Sequence, residues 1–185
     1  MIESILLDAK DMDRTLSRIA HEIVEHKTFS AENTALVGIR TRGIFLAERL
    51  QKKIQQIENL TLPLGSLDIT FHRDDLYNKA AGARKAQFPK VGTTEIPFDL
   101  DEKTIVLVDD VLYTGRTVRA ALDELIDFGR PARIQLATLI DRGHRELPIK
   151  ADFVGKNIPT KDTDLVQVYL KECDDGREEV ILQCK

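Results

Sequence analysis

Two adjacent carboxylates, Asp109 and Asp110, stand shortly before Thr114, Gly115, Arg116 and Thr117. The hydroxyls of Thr114 and Thr117 can donate to an anion, and Gly115 lets a ligand approach the backbone. Asp109 and Asp110 beside such a cradle would repel a bare phosphate. They make chemical sense if the ligand also carries hydroxyl donors, as a ribose phosphate does. A second glycine-flanked turn, residues 38–43, carries Arg40, Thr41, Arg42 and Gly43. Two arginines and exposed backbone donors suit a second anion there.

Both clusters need a strand before them and a helix after them. Ile105, Val106, Leu107 and Val108 form an apolar, β-branched run ahead of the acidic pair. Val118, Leu122, Leu125 and Ile126 then follow helical spacing, and Gly129 and Pro131 are expected to stop that helix with a left-handed cap. The first segment therefore reads as strand, acidic turn, helix. The N–H groups of residues 114–117 are orphan donors at a helix N-terminus, where the dipole favours negative charge. The pattern GxxxxGK[ST] is absent, which excludes a P-loop nucleotidase. Residues 34–39 read as a buried strand, followed by a helix with Ile44, Ala47, Leu50, Ile54 and Ile57 on one face.

The remaining chain fits around these two units. Residues 2–7 form a short apolar start. Met12, Leu16, Ile19, Ala20, Ile23 and Val24 keep helical period behind a cap at Asp8 or Asp11. Arg14, Arg18 and His21 share the polar side of that helix, with Ser17 beside them. His21, Glu22 and His26 do not make HExxH, because the histidines are five apart and point to different faces. Leu67, Ile69 and Phe71 alternate with polar residues as in a strand. Residues 72–92 lose all period and carry Arg73, Asp74 and Asp75 at their start, as an active-site lid would. Residues 132–140 read as a further buried strand. The alternation of Val166, Val168 and Leu170, a turn at residues 174–177, and Val180 and Leu182 make a C-terminal hairpin. Strands alternating with helices argue for an α/β fold with a mostly parallel sheet, its ligands at the carboxyl ends of the strands. With no internal repeat or linker, residues 1–185 read as a single domain.

The chain has 185 residues, 42% hydrophobic and 31% charged, with net charge −4. These are globular values, and the charge gives no support to wholesale nucleic-acid binding, so any RNA contact must come from a local basic patch. Cys173 and Cys184 read as reduced thiols of a cytoplasmic protein. No apolar run approaches the ~18 residues of a membrane span, and no signal peptide is evident.

The stretch 104–117 resembles the motif of type I phosphoribosyltransferases that binds 5-phosphoribosyl 1-diphosphate (PRPP). Val111, Leu112 and Tyr113, inserted between the acidic pair and Thr114, are similar to the pyrimidine operon regulator branch. Residues 141–150 and 153–160 match that branch too, so the resemblance covers nearly the whole chain. It implies a type I phosphoribosyltransferase fold: a central sheet flanked by helices, with a small hood and the C-terminal hairpin. It also implies a uracil phosphoribosyltransferase that forms UMP and diphosphate. Asp109, Asp110 and Arg42 would be the catalytic set. Thr114, Gly115 and Thr117 would hold the 5′-phosphate. Arg40, Thr41, Arg42 and Gly43 would hold the diphosphate, with a non-proline cis peptide next to Thr41. Magnesium would be bound chiefly through PRPP and water. Arg73, Asp74 and Asp75 would belong to the lid. Val154, Lys156 and Ile158 would read the base from a hood, with Arg142 against it.

The same resemblance implies binding to a hairpin of the pyrimidine operon leader mRNA, strengthened by UMP or UTP. Arg14, Ser17, Arg18, His21, Arg145, Lys150 and Lys156 occupy the matching positions. Ser17 and Lys150 stand where close relatives often have threonine and arginine, and lysine lacks the bidentate geometry of arginine. His26 likewise replaces a basic position. An RNA face of this kind would be broader in a two-fold dimer, so a homodimer or a higher homo-oligomer is expected. The competing reading is a salvage phosphoribosyltransferase without an RNA role.

Overall fold

The computed structural model describes residues 2–70 and 93–184. In chain order it contains β1 (Ile2–Asp8), α1 (Ala9–Glu25), β2 (Thr34–Ile39), α2 (Arg42–Glu58), β3 (Leu64–Leu67) and β4 (Thr104–Leu112). These are followed by α3 (Arg116–Phe128), β5 (Arg133–Asp141), β6 (Phe153–Asn157), β7 (Leu165–Tyr169) and β8 (Glu179–Cys184). The anticipated lid residues Arg73, Asp74 and Asp75 lie outside the described residues.

Five strands form a parallel sheet in the order β3-β2-β4-β5-β6. All six residues of β2 are buried, as a strand covered on both faces requires, and this is why its sequence is a continuous apolar run. One core, built around Leu16, Ile23, Leu50 and Ile54, lies between the sheet and α1 and α2. The other, with Ile105, Leu107, Val118 and Leu125, lies under α3. α1 starts where the Asp8 carboxylate accepts the Asp11 N–H at 2.7 Å, a side-chain cap of the ordinary kind. Ile54 is fully buried, so its truncation to alanine would cost about 2–5 kcal/mol. A separate antiparallel sheet, ordered β1-β8-β7, joins the first strand to the C-terminal hairpin. No helix among the described residues is long and apolar enough to cross a membrane.

Four local expectations need correction. The strand anticipated around Leu67 and Ile69 lies earlier, at Leu64–Leu67, paired with residues 36–39. It ends because the Asp68 carboxylate accepts the Thr70 N–H at 2.9 Å, a local turn that competes with the ladder. The acidic pair belongs to β4 rather than to the turn after it. α3 buries Val118, Ala120, Ala121 and Leu125, while Ile126 is exposed; the small alanines let the helix sit close to the sheet. Gly129 ends α3 at φ 171, which is extended rather than left-handed backbone. Glycine is needed there because a Cβ would stand 2.9 Å from the Leu100 Cβ.

Candidate active site

Because the five strands run parallel, their carboxyl ends share one edge of the sheet. β2 and β4 are neighbours, so the 40–43 loop and the 113–115 turn emerge side by side. The contact is close. A Cβ on Gly43 would stand 2.3 Å from the Val108 carbonyl oxygen, and one on Gly38 would stand 2.3 Å from the Ile44 Cα. The Arg40–Thr41 peptide is cis. Neither Thr41 nor Gly115, the N-cap residues of α2 and α3, supplies a side-chain cap. The first-turn N–H groups of both helices therefore point toward the same edge.

Asp109 is buried, and its Oδ1 accepts the Asp110 N–H at 2.9 Å; Asp110 is half-buried and accepts the Val111 N–H at 2.8 Å. Asp109 stands beside Thr138 of β5. Ile105, Val106, Leu107 and Val108 are core residues split between the two clusters. Within the 105–117 stretch their part is to place the acidic pair. Gly115 has φ +92, and a Cβ on it would stand 3.3 Å from the Ile149 Cδ1 and 3.4 Å from the Leu147 Cβ. The glycine thus serves the left-handed turn and its packing under residues 147 and 149. The Thr114 hydroxyl is 3.3 Å from the Arg116 N–H, and Arg116 pairs with Glu146 at 2.7 Å.

In the arginine loop, Arg40 Nη2 donates to the Ser66 hydroxyl at 2.8 Å. Arg42 reaches across the fold. Its Nη2 and Nε donate to the two oxygens of Asp174, at 2.7 and 3.3 Å. Burial opposes the Arg42 charge, but the Asp174 carboxylate and the nearby Asp110 charge outweigh it and hold the guanidinium above its usual range.

The segments after β5 and β6 complete the edge. Arg142 is buried. It donates to the Thr160 hydroxyl and the Lys161 carbonyl, and its guanidinium lies 4.1 Å from the centre of the Tyr113 ring. Its flat face is therefore stacked on protein, and a role against a base would have to use Tyr113 as the outer surface. Of the hood residues, Val154 is half-buried, Lys156 exposed and Ile158 buried. The Ile158 N–H already donates to the Asp141 carbonyl at 2.8 Å, and the Val154 and Gly155 carbonyls both accept from Arg18. Lys156 and Asn157, at the end of β6, are exposed.

The basic residues divide into two groups. Arg14, on α1, has a side chain 68% exposed and pairs with Asp11, one turn away; His21 and Lys150 are also exposed. Arg18 ties α1 to β6, and Lys156 Nζ donates to the Leu6 carbonyl at 2.9 Å. These two contacts bring Arg14, Arg18 and Lys156 to one face. Ser17 accepts from Lys53 at 2.9 Å. Arg145 is spent internally: it donates to the carbonyls of Tyr113 at 2.7 Å, Gly143 at 3.0 Å and Ile149 at 3.0 Å, and to the Asp141 carboxylate. His26 packs edge-on against Phe153 and bonds the Thr28 hydroxyl.

Sequence reasoning passed over Asp174, Ser66 and Lys53. No local pattern marks them, since their partners lie far along the chain.

Comparison with known proteins agrees with this arrangement. A phosphoribosyl transferase domain model matches residues 4–172. The chain is 55% identical over 172 residues to the Bifunctional protein PyrR of Deinococcus deserti, covering 93% of this chain and 90% of that one. It is 54% identical over 178 residues to the Bifunctional protein PyrR of Listeria monocytogenes, covering 96% and 95%. The solved hypoxanthine phosphoribosyl transferase of Trypanosoma cruzi superposes with a TM-score of 0.70 at 16% identity, covering 98% of this chain and 91% of that chain. At that identity the likeness is one of fold alone.

Proposed function

The chain belongs to the PyrR family of phosphoribosyl transferase domain proteins, and from that premise we propose that it has two activities. It transfers the phosphoribosyl group of PRPP to uracil, giving UMP and diphosphate. It also binds pyrimidine operon leader mRNA under control of UMP or UTP, promoting attenuation. We read residues 1–185 as one domain, cytoplasmic and at least dimeric.

The observation that carries the transferase reading is the packing of the 40–43 loop against β4 one residue ahead of the acidic pair. That packing supports the reading, because it brings the arginine loop and the acidic pair to one edge of the sheet. In the reaction, uracil N1 gives up its proton to the departing diphosphate or to water and bonds the anomeric carbon as the bond from that carbon to diphosphate breaks. The transition state is oxocarbenium-like, so positioning and charge matter more than side-chain nucleophilicity. Asp109 and Asp110 accept the ribose hydroxyls, and Asp110 adds negative charge near the ring. Thr114, Thr117 and the first-turn N–H groups of α3 hold the 5′-phosphate. Arg40, Thr41, Arg42 and Gly43 hold the diphosphate. The outer edge of β6 near Lys156 reads uracil through main-chain groups.

Among the described residues no group of three or more His, Cys, Asp or Glu could hold a metal ion. The hard oxygens of the acidic pair suit magnesium only as a minority of its ligands, with PRPP oxygens and water supplying the rest. Bound in that way, magnesium would neutralise charge on the diphosphate.

A panel of free bases incubated with PRPP and magnesium tests the reading. Uracil should give UMP, and hypoxanthine, guanine and orotate should not react. Product from a purine alone would overturn it.

The salvage-enzyme reading has one observation in its favour: Arg18, Arg145 and Lys156 all donate to main-chain carbonyls. RNA binding must then rest on Arg14, His21 and Lys150, with help from whatever charge those three engaged residues still present.

A further inference from the structure

α2 carries two arginines seven residues apart, Arg42 and Arg49, which therefore share one face of the helix. Both are clamped by the segment joining β7 to β8. Arg49 donates through Nε and Nη2 to the two oxygens of Glu172, at 2.9 and 2.7 Å, and through Nη1 to Glu178. Arg42 forms its own two-bond fork with Asp174. Asp174 is itself held rigidly, since its Oδ2 also accepts the Leu170 N–H at 2.8 Å and the Cys173 thiol at 3.3 Å. The side chains of Asp174, Glu172 and Glu178 are only 15%, 26% and 17% exposed. The fork takes Nε and Nη2 of Arg42, and among the described residues its Nη1 edge is left for another acceptor.

We propose that Asp174 is a positioning residue of the transferase. By holding one edge of the Arg42 guanidinium, it aims the other edge at the diphosphate of PRPP. This deepens the function proposed above and rests on it. The physical reason is pre-organisation. An arginine side chain loses its considerable rotamer freedom when it is fixed. A carboxylate that fixes it before the ligand arrives removes much of that loss from the binding step. Glu172 and Glu178 do a different job, anchoring the hairpin to the middle of α2 without touching the loop.

The test is PRPP binding by calorimetry in the presence of magnesium, with melting temperature read in parallel on the full chain. Asp174→Asn should weaken PRPP binding about tenfold, the effect of a charged hydrogen bond of ~1.4 kcal/mol. Asp174→Glu should recover most of that loss. In an Arg42→Met background the same Asp174→Asn change should have no further effect on binding, because it acts through Arg42. Glu172→Gln should lower the melting temperature and leave PRPP affinity unchanged. Asp174→Asn that binds PRPP as well as the unaltered protein, or better, overturns the inference. So does a loss of equal size in the Arg42→Met background, which would mean a structural role only. Failure of the unaltered protein to bind PRPP would defeat the transferase reading itself, a result distinct from the other two.

Discussion

Gly43 presses against Val108 so closely that a Cβ on the glycine would sit 2.3 Å from the Val108 carbonyl oxygen. The first turn of α2 is thereby seated on β4 one residue before the acidic pair. Val108 O is backbone and cannot rotate away. Gly43→Ala should therefore displace α2 or β4, destabilising the fold by about 1–3 kcal/mol. Urea denaturation would measure it, and a stability equal to the unaltered protein would contradict the geometry.

Asp110 and Asp109 have different surroundings and should respond differently. Asp110 is half-buried, and its charge helps keep the Arg42 guanidinium protonated. Asp110→Asn should lower turnover about 10²–10³-fold with little change in melting temperature. Near-normal turnover in a UMP-formation assay would sink its assignment.

The hairpin clamp should be acid-labile. Burial pushes the carboxyls of Glu172 and Asp174 up, but Arg49 with Glu172, and the Leu170 N–H and Arg42 with Asp174, hold both below their ordinary values of 4.5 and 3.8. A depressed folded-state value means stability that is present above the unfolded value and lost as pH falls through the folded one. Unfolding free energy should be level on this account above about pH 5 and fall below about pH 4. Glu172→Gln combined with Asp174→Asn should flatten that fall. An unchanged acid limb in the double variant would show that other carboxylates govern it.

Arg145 and Arg14 separate structure from RNA contact. Arg145 joins the turns after β4 and β5 through several carbonyls and Asp141. Arg145→Gln should cost about 1.5–3 kcal/mol of stability, the worth of charged hydrogen bonds. Any loss of RNA binding in that variant would then be ambiguous. Arg14→Gln, at an exposed position with one i,i+3 partner, should change stability by less than about 0.5 kcal/mol. It should weaken RNA binding uniformly and reduce the salt slope by about one unit. Equal melting temperatures for the two variants would contradict this division.

What could be read in the sequence was what local pattern controls. The apolar run 34–39 marked β2 to the residue, and Asp8 was already a candidate cap for α1. The two strand-turn-helix units were visible because their turns concentrate glycine, hydroxyls and charge. Errors arose where side-chain contacts, local or distant, override pattern. Gly129 looked like a left-handed cap, but the close approach of Leu100 explains it. Ile69 looked like a strand residue, but the Asp68 side chain turns the backbone after β3. At the site, no sequence pattern showed that Arg142 stacks on Tyr113 and donates to Thr160 and Lys161. Asp174 was invisible because 132 residues separate it from Arg42.

The measurement that goes most directly to the claim of two activities in one chain is a gel shift. The purified protein would be titrated onto leader RNA from upstream of pyrimidine genes, at one fixed salt concentration, with and without UMP. If both activities reside in this chain, the RNA shifts, UMP tightens the complex and Arg14→Gln weakens it. No shift at low salt, in a preparation that still forms UMP from uracil and PRPP, would contradict that claim and leave an enzyme of salvage.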